Sequence, residues 1–147
     1  MDPLPILYGE DDPNDALLLQ HSFRNARILN PLRIIEDGQT AIDYLAGVGE
    51  FADRRLHPLP CLIILDIKLP RKTGLDVLQW LRQASDLPCL PVIVFSSSAR
   101  REDVDNAYHL GANSYVVKPA GIAERTELAH LIAGYWLKFN EPPSLLQ

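Results

Sequence analysis

Four polar segments of this chain each follow a short apolar run, and this arrangement restricts the possible folds more than any other feature of the sequence. In chain order the segments are Glu10-Asp11-Asp12, Asp66, Ser96 and Lys118. If the apolar runs are parallel strands, all four segments lie at the carboxyl edge of one sheet, where open α/β folds bind their ligands. The sequence therefore predicts one site assembled from residues that are far apart in the chain.

The apolar runs are typical of strands buried on both faces, because they are almost continuously apolar. They alternate with segments of helical period, which indicates a parallel sheet with helices on both sides. The predicted strands are residues 5–9, 32–36, 61–65, 91–95 and 114–117. The sequence therefore predicts an α/β domain of five βα units.

Helical signals fill the segments between these strands. Asp12 before Pro13 is typical of an N-cap and a first turn. Further helices are predicted from about residue 38 to Gly47, over residues 74–84 and over residues 101–110. A last helix is predicted from the inward stripe Leu128, Leu131, Ile132, Tyr135 and Phe139. The connection 47–60 is expected to be a plain surface loop, and residues 141–147 an irregular tail after a domain of residues 1–140.

Composition narrows the class of protein. A chain of 147 residues, of which 47% are hydrophobic, fits one domain with an adequate core. The net charge of -5 and the lack of any Lys/Arg cluster larger than a pair argue against nucleic acid as a partner. No segment resembles a signal peptide or a membrane span, so a cytoplasmic protein is expected. Cys61 and Cys89 each begin an apolar run and are expected to be buried, reduced thiols.

The predicted site has the composition of a phosphoryl-transfer centre. Carboxylates a few ångströms apart repel one another by about 4 kcal/mol per pair at an effective dielectric near 20, so that the cluster calls for a cation. Mg²⁺ prefers such oxygen ligands and keeps positions open for phosphate oxygens. Asp66 could then attack phosphorus, while Lys118 and Ser96 stabilise the charge on the phosphoryl oxygens.

These residues resemble the receiver domains of two-component response regulators, of the chemotaxis-regulator type, and the resemblance covers residues 4–139. It implies a flavodoxin-like, doubly wound (βα)5 fold with five parallel strands in the order 2-1-3-4-5. Gly9 is a departure, since an aliphatic residue is commoner before the acidic pair. The resemblance also implies Mg²⁺ as the cofactor, with Mn²⁺ as a substitute. The resemblance implies that Asp66 is the phosphoacceptor. The metal ligands that it implies are Asp11 directly, Glu10 through water, and the backbone carbonyl of Lys68. Lys118 would be the invariant lysine before a cis proline, Ser96 the switch residue and Tyr115 the rotating aromatic switch.

The function that follows is that of a stand-alone response regulator. It would receive a phosphoryl group from a sensor histidine kinase, catalyse only its own phosphorylation and dephosphorylation, and signal through contacts with a downstream protein. Two alternatives remain. A phosphatase or phosphotransferase of the haloacid-dehalogenase kind also uses an aspartyl phosphate, but it needs a second carboxylate two residues later, where Lys68 stands. A scaffold that needs no phosphate would bind its partner equally with and without phosphorylation.

Two features of the sequence concern possible partners. The connection 47–60 and the segment Tyr135-Trp136-Leu137-Lys138 before a Pro-containing tail resemble single-domain regulators of bacterial and cyanobacterial phytochromes, which predicts a phytochrome-type kinase. Trp136 and Leu137, with Leu145 and Leu146 of the tail, are apolar residues beyond the single stripe that a helix needs. They predict a homodimer built from the carboxyl-terminal third, with a tail folded back on its own domain as the alternative.

Overall fold

The computed structural model describes residues 2–144, which form one parallel sheet with helices on both faces. The strands are β1 Ile6–Gly9, β2 Leu32–Ile35, β3 Leu62–Leu65, β4 Val92–Ser96 and β5 Ser114–Val117. The helices are α1 Pro13–Asn25, α2 Gly38–Ala46, α3 Gly74–Gln83, α4 Arg101–His109 and α5 Ile122–Ile132. The strand order β2-β1-β3-β4-β5 confirms the predicted flavodoxin-like fold.

The strand register brings the predicted site residues to one edge of the sheet. Glu10 and Asp66 directly follow the paired ends of β1 and β3. Ser96 is the last residue of β4, and Lys118 directly follows β5, whose end is paired with that of β4. Because all the strands are parallel, these four residues lie at the carboxyl edge, as the sequence predicts.

Alternate strand residues supply two separate core layers. Leu7, Ile63 and Val94 face one layer, which α2 and α3 cover. The other layer, between the sheet and the helices α1 and α5, is built around the following side chains: Ile6, Tyr8, Leu19, Phe23, Ile64, Ile93, Phe95, Ala129 and Ile132. Full burial of a side chain of this size contributes about 1.5–3 kcal/mol. Both layers pack against the same three central strands, β1, β3 and β4, and so hold in place the sheet edge where the polar residues lie.

The departure at Gly9 has a steric reason. A Cβ atom at this position would lie 2.9 Å from Cδ2 of Leu65 and 3.1 Å from Cδ1 of Leu69. These leucines, which are buried in the core, fill the space that an aliphatic side chain would need.

The predicted start of the first helix and both predicted ends of the second are confirmed. Asp12 accepts hydrogen bonds from the amides of Asn14 and Asp15, at 2.8 and 3.4 Å, and so caps α1. Asp37 caps α2, which Gly47 closes in the left-handed conformation at φ +69°. The connection that follows α2, residues 47–60, is more ordered than a plain surface loop.

That connection contains a 3-10 turn, Gly49–Phe51, which places Phe51 in the core against Tyr44. Arg54 donates hydrogen bonds to the carbonyls of Tyr44 and Leu45, both at 2.8 Å. The guanidinium thus satisfies carbonyls in the last turn of α2. The expectation of a plain loop is therefore wrong in this respect, because one aromatic and one arginine tie the segment to the domain.

The inward stripe predicted for the last helix is wrong at three of its five positions. Leu128 and Ile132 face the core, but Leu131, Tyr135 and Phe139 are 63%, 55% and 73% exposed. The inward positions that the apolar stripe missed are Arg125, Ala129, Trp136 and Leu137. Arg125 is charged and Ala129 is small, so neither contributes to an apolar stripe in the sequence. After Ile132 the chain also continues as a π-helical segment, Ala133–Phe139, whose wider turns change the periodicity.

The two cysteines differ in burial, and no described helix is suited to crossing a membrane. Cys61 is half-buried and Cys89 is exposed, so the expected burial of Cys89 is wrong. Cys89 lies in the turn before β4 rather than in the strand. Within residues 2–144, no helix is both long enough and apolar enough to cross a membrane.

Candidate functional site

The centre of the site is the ammonium group of Lys118. Its Nζ atom donates hydrogen bonds to Oε1 of Glu10 at 2.6 Å, to Oδ2 of Asp66 at 2.7 Å and to Oδ2 of Asp15 at 2.8 Å. The side chains of Lys118, Glu10 and Asp66 are all less than a tenth exposed. One buried cation therefore joins the predicted phosphoacceptor to two further carboxylates.

The charges of this cluster depend on one another. Burial alone would lower the pKa of Lys118, but the hydrogen bonds that it donates to Asp15, Asp66 and Glu10 raise this pKa above its ordinary value. Burial raises the pKa of Glu10, even though Lys118 opposes that shift. Burial also opposes ionisation of Asp15, yet hydrogen bonds from Lys118 and the positive charge of Arg125 hold the pKa of Asp15 below its usual range. Lys118 is therefore a permanent cation in this site.

Glu10 is held in place by more than the ion pair. The hydroxyl of Tyr8 donates to Oε1 of Glu10 at 3.0 Å, and the amide of Asp12 donates to Oε2 at 3.3 Å. Tyr8 is itself completely buried in the second core layer. The orientation of Glu10 is thus fixed by the same strand that carries it to the sheet edge.

Asp66 is fixed from both oxygens. Oδ2 accepts from Lys118, and Oδ1 accepts a hydrogen bond from the backbone amide of Lys68 at 3.2 Å. A Cβ atom at Gly74 would lie 2.0 Å from the carbonyl oxygen of Asp66, so that α3 can begin here only with glycine. The loop after β3 is thereby folded tightly around Asp66, while the side chain of Lys68 stays exposed.

The donor atoms at this edge suit a hard cation. Glu10 and Asp66 are brought together by Lys118, Asp11 follows Glu10 with an exposed side chain, and the Lys68 backbone is next to Asp66. All these groups offer oxygen ligands, which Mg²⁺ prefers. Among residues 2–144, however, no three His, Cys, Asp or Glu side chains form a ready-made metal site. The residues thus fit a cation that is held by few carboxylates and completed by carbonyl and water oxygens.

Ser96 and Tyr115 meet at Ser98. Oγ of Ser96 accepts a hydrogen bond from the amide of Ser98 at 3.1 Å, and the hydroxyl of Tyr115 donates to the carbonyl of Ser98 at 2.7 Å. The hydroxyl of Ser98 in turn donates to Asp103 in the first turn of α4. A movement of Ser96 would therefore reach both Tyr115 and α4 through one residue.

The expected cis bond before Pro119 is absent: the peptide bond between Lys118 and Pro119 is trans. The trans form of an X–Pro bond is ordinarily the more stable by about 0.5–1 kcal/mol. The Lys118 amide still pairs with the carbonyl of Ser96, at 2.8 Å. Lys118 thus reaches the site without the predicted isomer.

Sequence reasoning missed Asp15 and Arg125, which complete the charge cluster. Asp15 lies four residues before Leu19 and eight before Phe23, which are buried on the inner face of α1. Arg125 precedes Ala129 by the same four residues on the inner face of α5. This i, i+4 spacing is the signal that could have placed both charges on buried helix faces.

Comparison with known proteins agrees with the site. A family model described as the response regulator receiver domain matches residues 6–130. The chain is 34% identical to the response regulator Rcp1 of Synechocystis, over 92% of this chain and 90% of that protein. It is 31% identical to the probable methanogenesis regulatory protein FilR2 of Methanothrix harundinacea, over 97% of this chain and 89% of that protein.

Solved structures give the same result. The response regulator RPA3017 in red light signaling of R. palustris is 37% identical, with a TM-score of 0.90 over 96% of this chain and 99% of that one. The phosphorylated cyanobacterial phytochrome response regulator RcpA is 31% identical, with a TM-score of 0.88 over 97% of this chain and 99% of that one. The Mn²⁺-bound form of Rcp1 is 33% identical, with a TM-score of 0.85 over 97% of this chain and 100% of that one.

The fold and the site thus define a signalling domain with three carboxylates around one lysine at the sheet edge. The chain belongs to the response regulator receiver domain family, and its relatives include phytochrome response regulators. The predicted family is therefore confirmed, and the dehalogenase-type phosphatase no longer needs to be considered.

Proposed function

We propose that this receiver domain accepts a phosphoryl group on Asp66 from a sensor histidine kinase, with Mg²⁺ bound, and signals through contacts with a downstream protein. The observation that supports this function best is the buried Nζ atom of Lys118, which lies 2.7 Å from Asp66 and 2.6 Å from Glu10. A cation held so close to a carboxylate nucleophile can bind the incoming phosphoryl oxygens. The domain comprises residues 1–140 in this proposal, with 141–147 as a tail, and acts alone in the cytoplasm.

The transfer needs only groups at this edge. An oxygen of Asp66 attacks the phosphorus of a phosphohistidine; the P–O bond forms as the P–N bond breaks, and the leaving imidazole keeps the electron pair and takes up a proton. Lys118 binds a phosphoryl oxygen, and Ser96 turns its hydroxyl to donate to another. Asp11, Glu10 through water, Asp66 and the Lys68 carbonyl would hold the metal ion, which neutralises charge on the phosphoryl oxygens when bound. Mn²⁺ binding by Rcp1 supports the choice of a divalent ion.

Labelling by a small phosphodonor tests this assignment. Acetyl phosphate with Mg²⁺ should add one phosphoryl group to the native protein, because the cation offsets repulsion between the carboxylates and the donor. Asp66→Asn should abolish the labelling. Asp86→Asn, which removes an exposed loop carboxylate, serves as the matched control and should be labelled normally. Mass spectrometry of the intact protein measures both. Labelling of the Asp66 variant, or undiminished labelling in chelator, contradicts the proposal.

The proposed kinase partner is of the phytochrome type. RcpA is a phytochrome response regulator and RPA3017 acts in red light signaling, and both cover nearly the whole of this chain. FilR2, at similar identity, is a probable methanogenesis regulator, so relatives also serve another process. Phosphotransfer from purified kinases decides between them: a red-light-regulated phytochrome kinase should label Asp66 faster than kinases of other inputs. Transfer only from a kinase of another input contradicts this partner.

The proposal also includes a homodimer, on a surface that differs from the one predicted. Trp136 and Leu137 are partly buried against the second core layer, so that most of their surface is not available to a partner. The exposed apolar residues of the carboxyl-terminal third are instead Leu131, Tyr135 and Phe139. They recur at four-residue intervals and so form one surface stripe along the end of α5 and the π-helical segment. A second copy of the chain that covered this stripe would remove it from water.

A further inference from the structure

Arg125 is a buried arginine whose hydrogen bonds are incomplete. Arg125 is 5% exposed, and its Nε atom donates a hydrogen bond to the carbonyl of Pro119 at 2.8 Å. One terminal nitrogen, Nη2, donates to Oδ1 of Asp15 at 3.2 Å, but Nη1 has no partner within the described part of the chain. A buried guanidinium with an unsatisfied nitrogen is costly, which calls for a reason beyond packing.

The reason lies in how Asp15 is shared. Its Oδ2 atom accepts from Lys118 at 2.8 Å, while its Oδ1 atom accepts from Arg125 at 3.2 Å. The same carboxylate therefore contacts the lysine that holds the phosphoacceptor and an arginine of α5. Both cations also lie 5.8 Å from the ring centre of Phe95, which belongs to the second core layer. A change in charge at Asp66 can reach α5 through three contacts: Asp66 with Lys118, Lys118 with Asp15, and Asp15 with Arg125.

We infer that Asp15 and Arg125 form a positioning pair that couples the state of Asp66 to α5. This inference rests on the proposed phosphorylation of Asp66. A phosphoryl group adds negative charge and strong acceptor oxygens, which draw Lys118 away from Asp15. Asp15, released from Lys118, pairs with both terminal nitrogens of Arg125 in the bidentate geometry that carboxylate and guanidinium prefer. Arg125 then pulls α5 toward α1, so that phosphorylation changes the exposed surface of α5.

This route is separate from the one through Ser96. Ser96, Ser98 and Tyr115 connect the site to α4 and β5, and none of their hydrogen bonds involves Asp15 or Arg125. The two routes therefore predict different losses. Without Asp15 or Arg125, phosphorylation should still change α4 but not α5. Without the hydroxyl of Ser96, it should still change α5 but not α4.

Backbone amide shifts in NMR spectra test the coupling, with all variants compared at an equal phosphorylated fraction. In the native protein, phosphorylation should shift amides of both α4 and α5. Asp15→Asn and Arg125→Gln should lose the shifts over residues 122–132 and keep those over 101–109; Ser96→Ala should show the reverse. Glu127→Gln removes an exposed charge from α5 and is the matched control, which should behave as the native protein.

The outcomes separate this inference from the proposed function. If the native protein is labelled at Asp66 but Asp15→Asn keeps the full shifts in α5, the coupling is wrong and the phosphorylation proposal stands. If the native protein is not labelled, the proposed function itself fails. Arg125→Lys is the second variant should either substitution unfold the domain: it keeps the buried charge but cannot bind a carboxylate in the bidentate manner, and retained shifts in α5 would again overturn the coupling.

Discussion

Lys118 places one positive charge among three carboxylates, and this side chain sets the electrostatic balance of the site. Lys118→Met should destabilise the protein by about 3–5 kcal/mol, because buried Glu10 and Asp66 then lose their counterion. Mg²⁺ should restore part of the loss, since a cation bound by the same carboxylates replaces the missing charge. The free energy of unfolding in urea measures the effect.

Lys68→Met is the control for this change, because it removes a lysine charge near Asp66 from an exposed position. Its effect should stay within about 0.5 kcal/mol. Equal stability of the Lys118 variant and the native protein would show that the three ion pairs contribute no net stability.

Individual residues of the site were predictable to the extent that they stand at strand ends. Glu10, Asp66, Ser96 and Lys118 follow apolar runs, and a parallel sheet brings such positions together. The spacing to Leu19 places Asp15 on the inner face of α1 but does not assign it to the site, because an acidic residue in the first turn of a helix is also typical of simple helix stabilisation. Its role follows only from the path of Lys118 across the sheet edge, which the sequence does not reveal.

At the scale of elements, the beginning of α2 depends on one carboxylate. The side chain of Asp37 accepts from the amide and the hydroxyl of Thr40, at 2.8 and 2.7 Å, and lies 3.3 Å from Arg71. Burial opposes ionisation of Asp37, but the bonds from Thr40 and the charge of Arg71 lower its pKa below the usual 3.8. Its stabilising contribution is therefore complete above pH 3.8 and is lost as the pH falls through the lowered value.

Asp37→Asn should therefore reduce stability by about 1 kcal/mol at neutral pH, because asparagine keeps the cap but loses the charge-assisted bonds. The difference from the native protein should shrink as the pH falls below 3.8 and through the lowered pKa of Asp37, where the native carboxyl becomes protonated. Urea unfolding across this pH range measures it. Asp105→Asn, which breaks an exposed pair with Arg101, should change stability by less than about 0.5 kcal/mol at every pH. A pH-independent difference for Asp37→Asn would contradict the assigned role.

The elements themselves differed in how well the sequence predicts them. Strands buried on both faces, the Asp12 cap of α1 and the closing Gly47 of α2 were predictable, because each signal is local. The last helix was less predictable from the sequence. Its inner face includes Arg125 and Ala129, which an apolar stripe does not contain, and the π-helical turns from Ala133 follow from no residue pattern in the chain.

At the scale of the whole molecule, the exposed stripe Leu131, Tyr135 and Phe139 replaces the surface first expected for a dimer. Truncating the chain after Gly134 would be a poor test of this contact, because it would remove Trp136 and Leu137, which pack on the core. The truncation would thus disturb the fold as well as the exposed stripe. Leu145 and Leu146 lie outside the described residues. Substitutions on the stripe are therefore the sharper test of association.

The double variant Leu131→Glu, Tyr135→Glu should be monomeric at tens of micromolar, whereas the native chain should be dimeric, because each charge would be buried without a partner in a symmetric contact. Leu56→Glu is the matched control: Leu56 is 65% exposed, similar to Leu131 at 63%, but lies in the connection between α2 and β3. It should leave the dimer intact. Sedimentation equilibrium measures all three proteins, and unchanged urea unfolding confirms that the double variant is folded. A monomeric native chain, or a double variant that still dimerises, rules out the stripe as the interface; an equal loss of dimer in Leu56→Glu would place the contact elsewhere on the molecule.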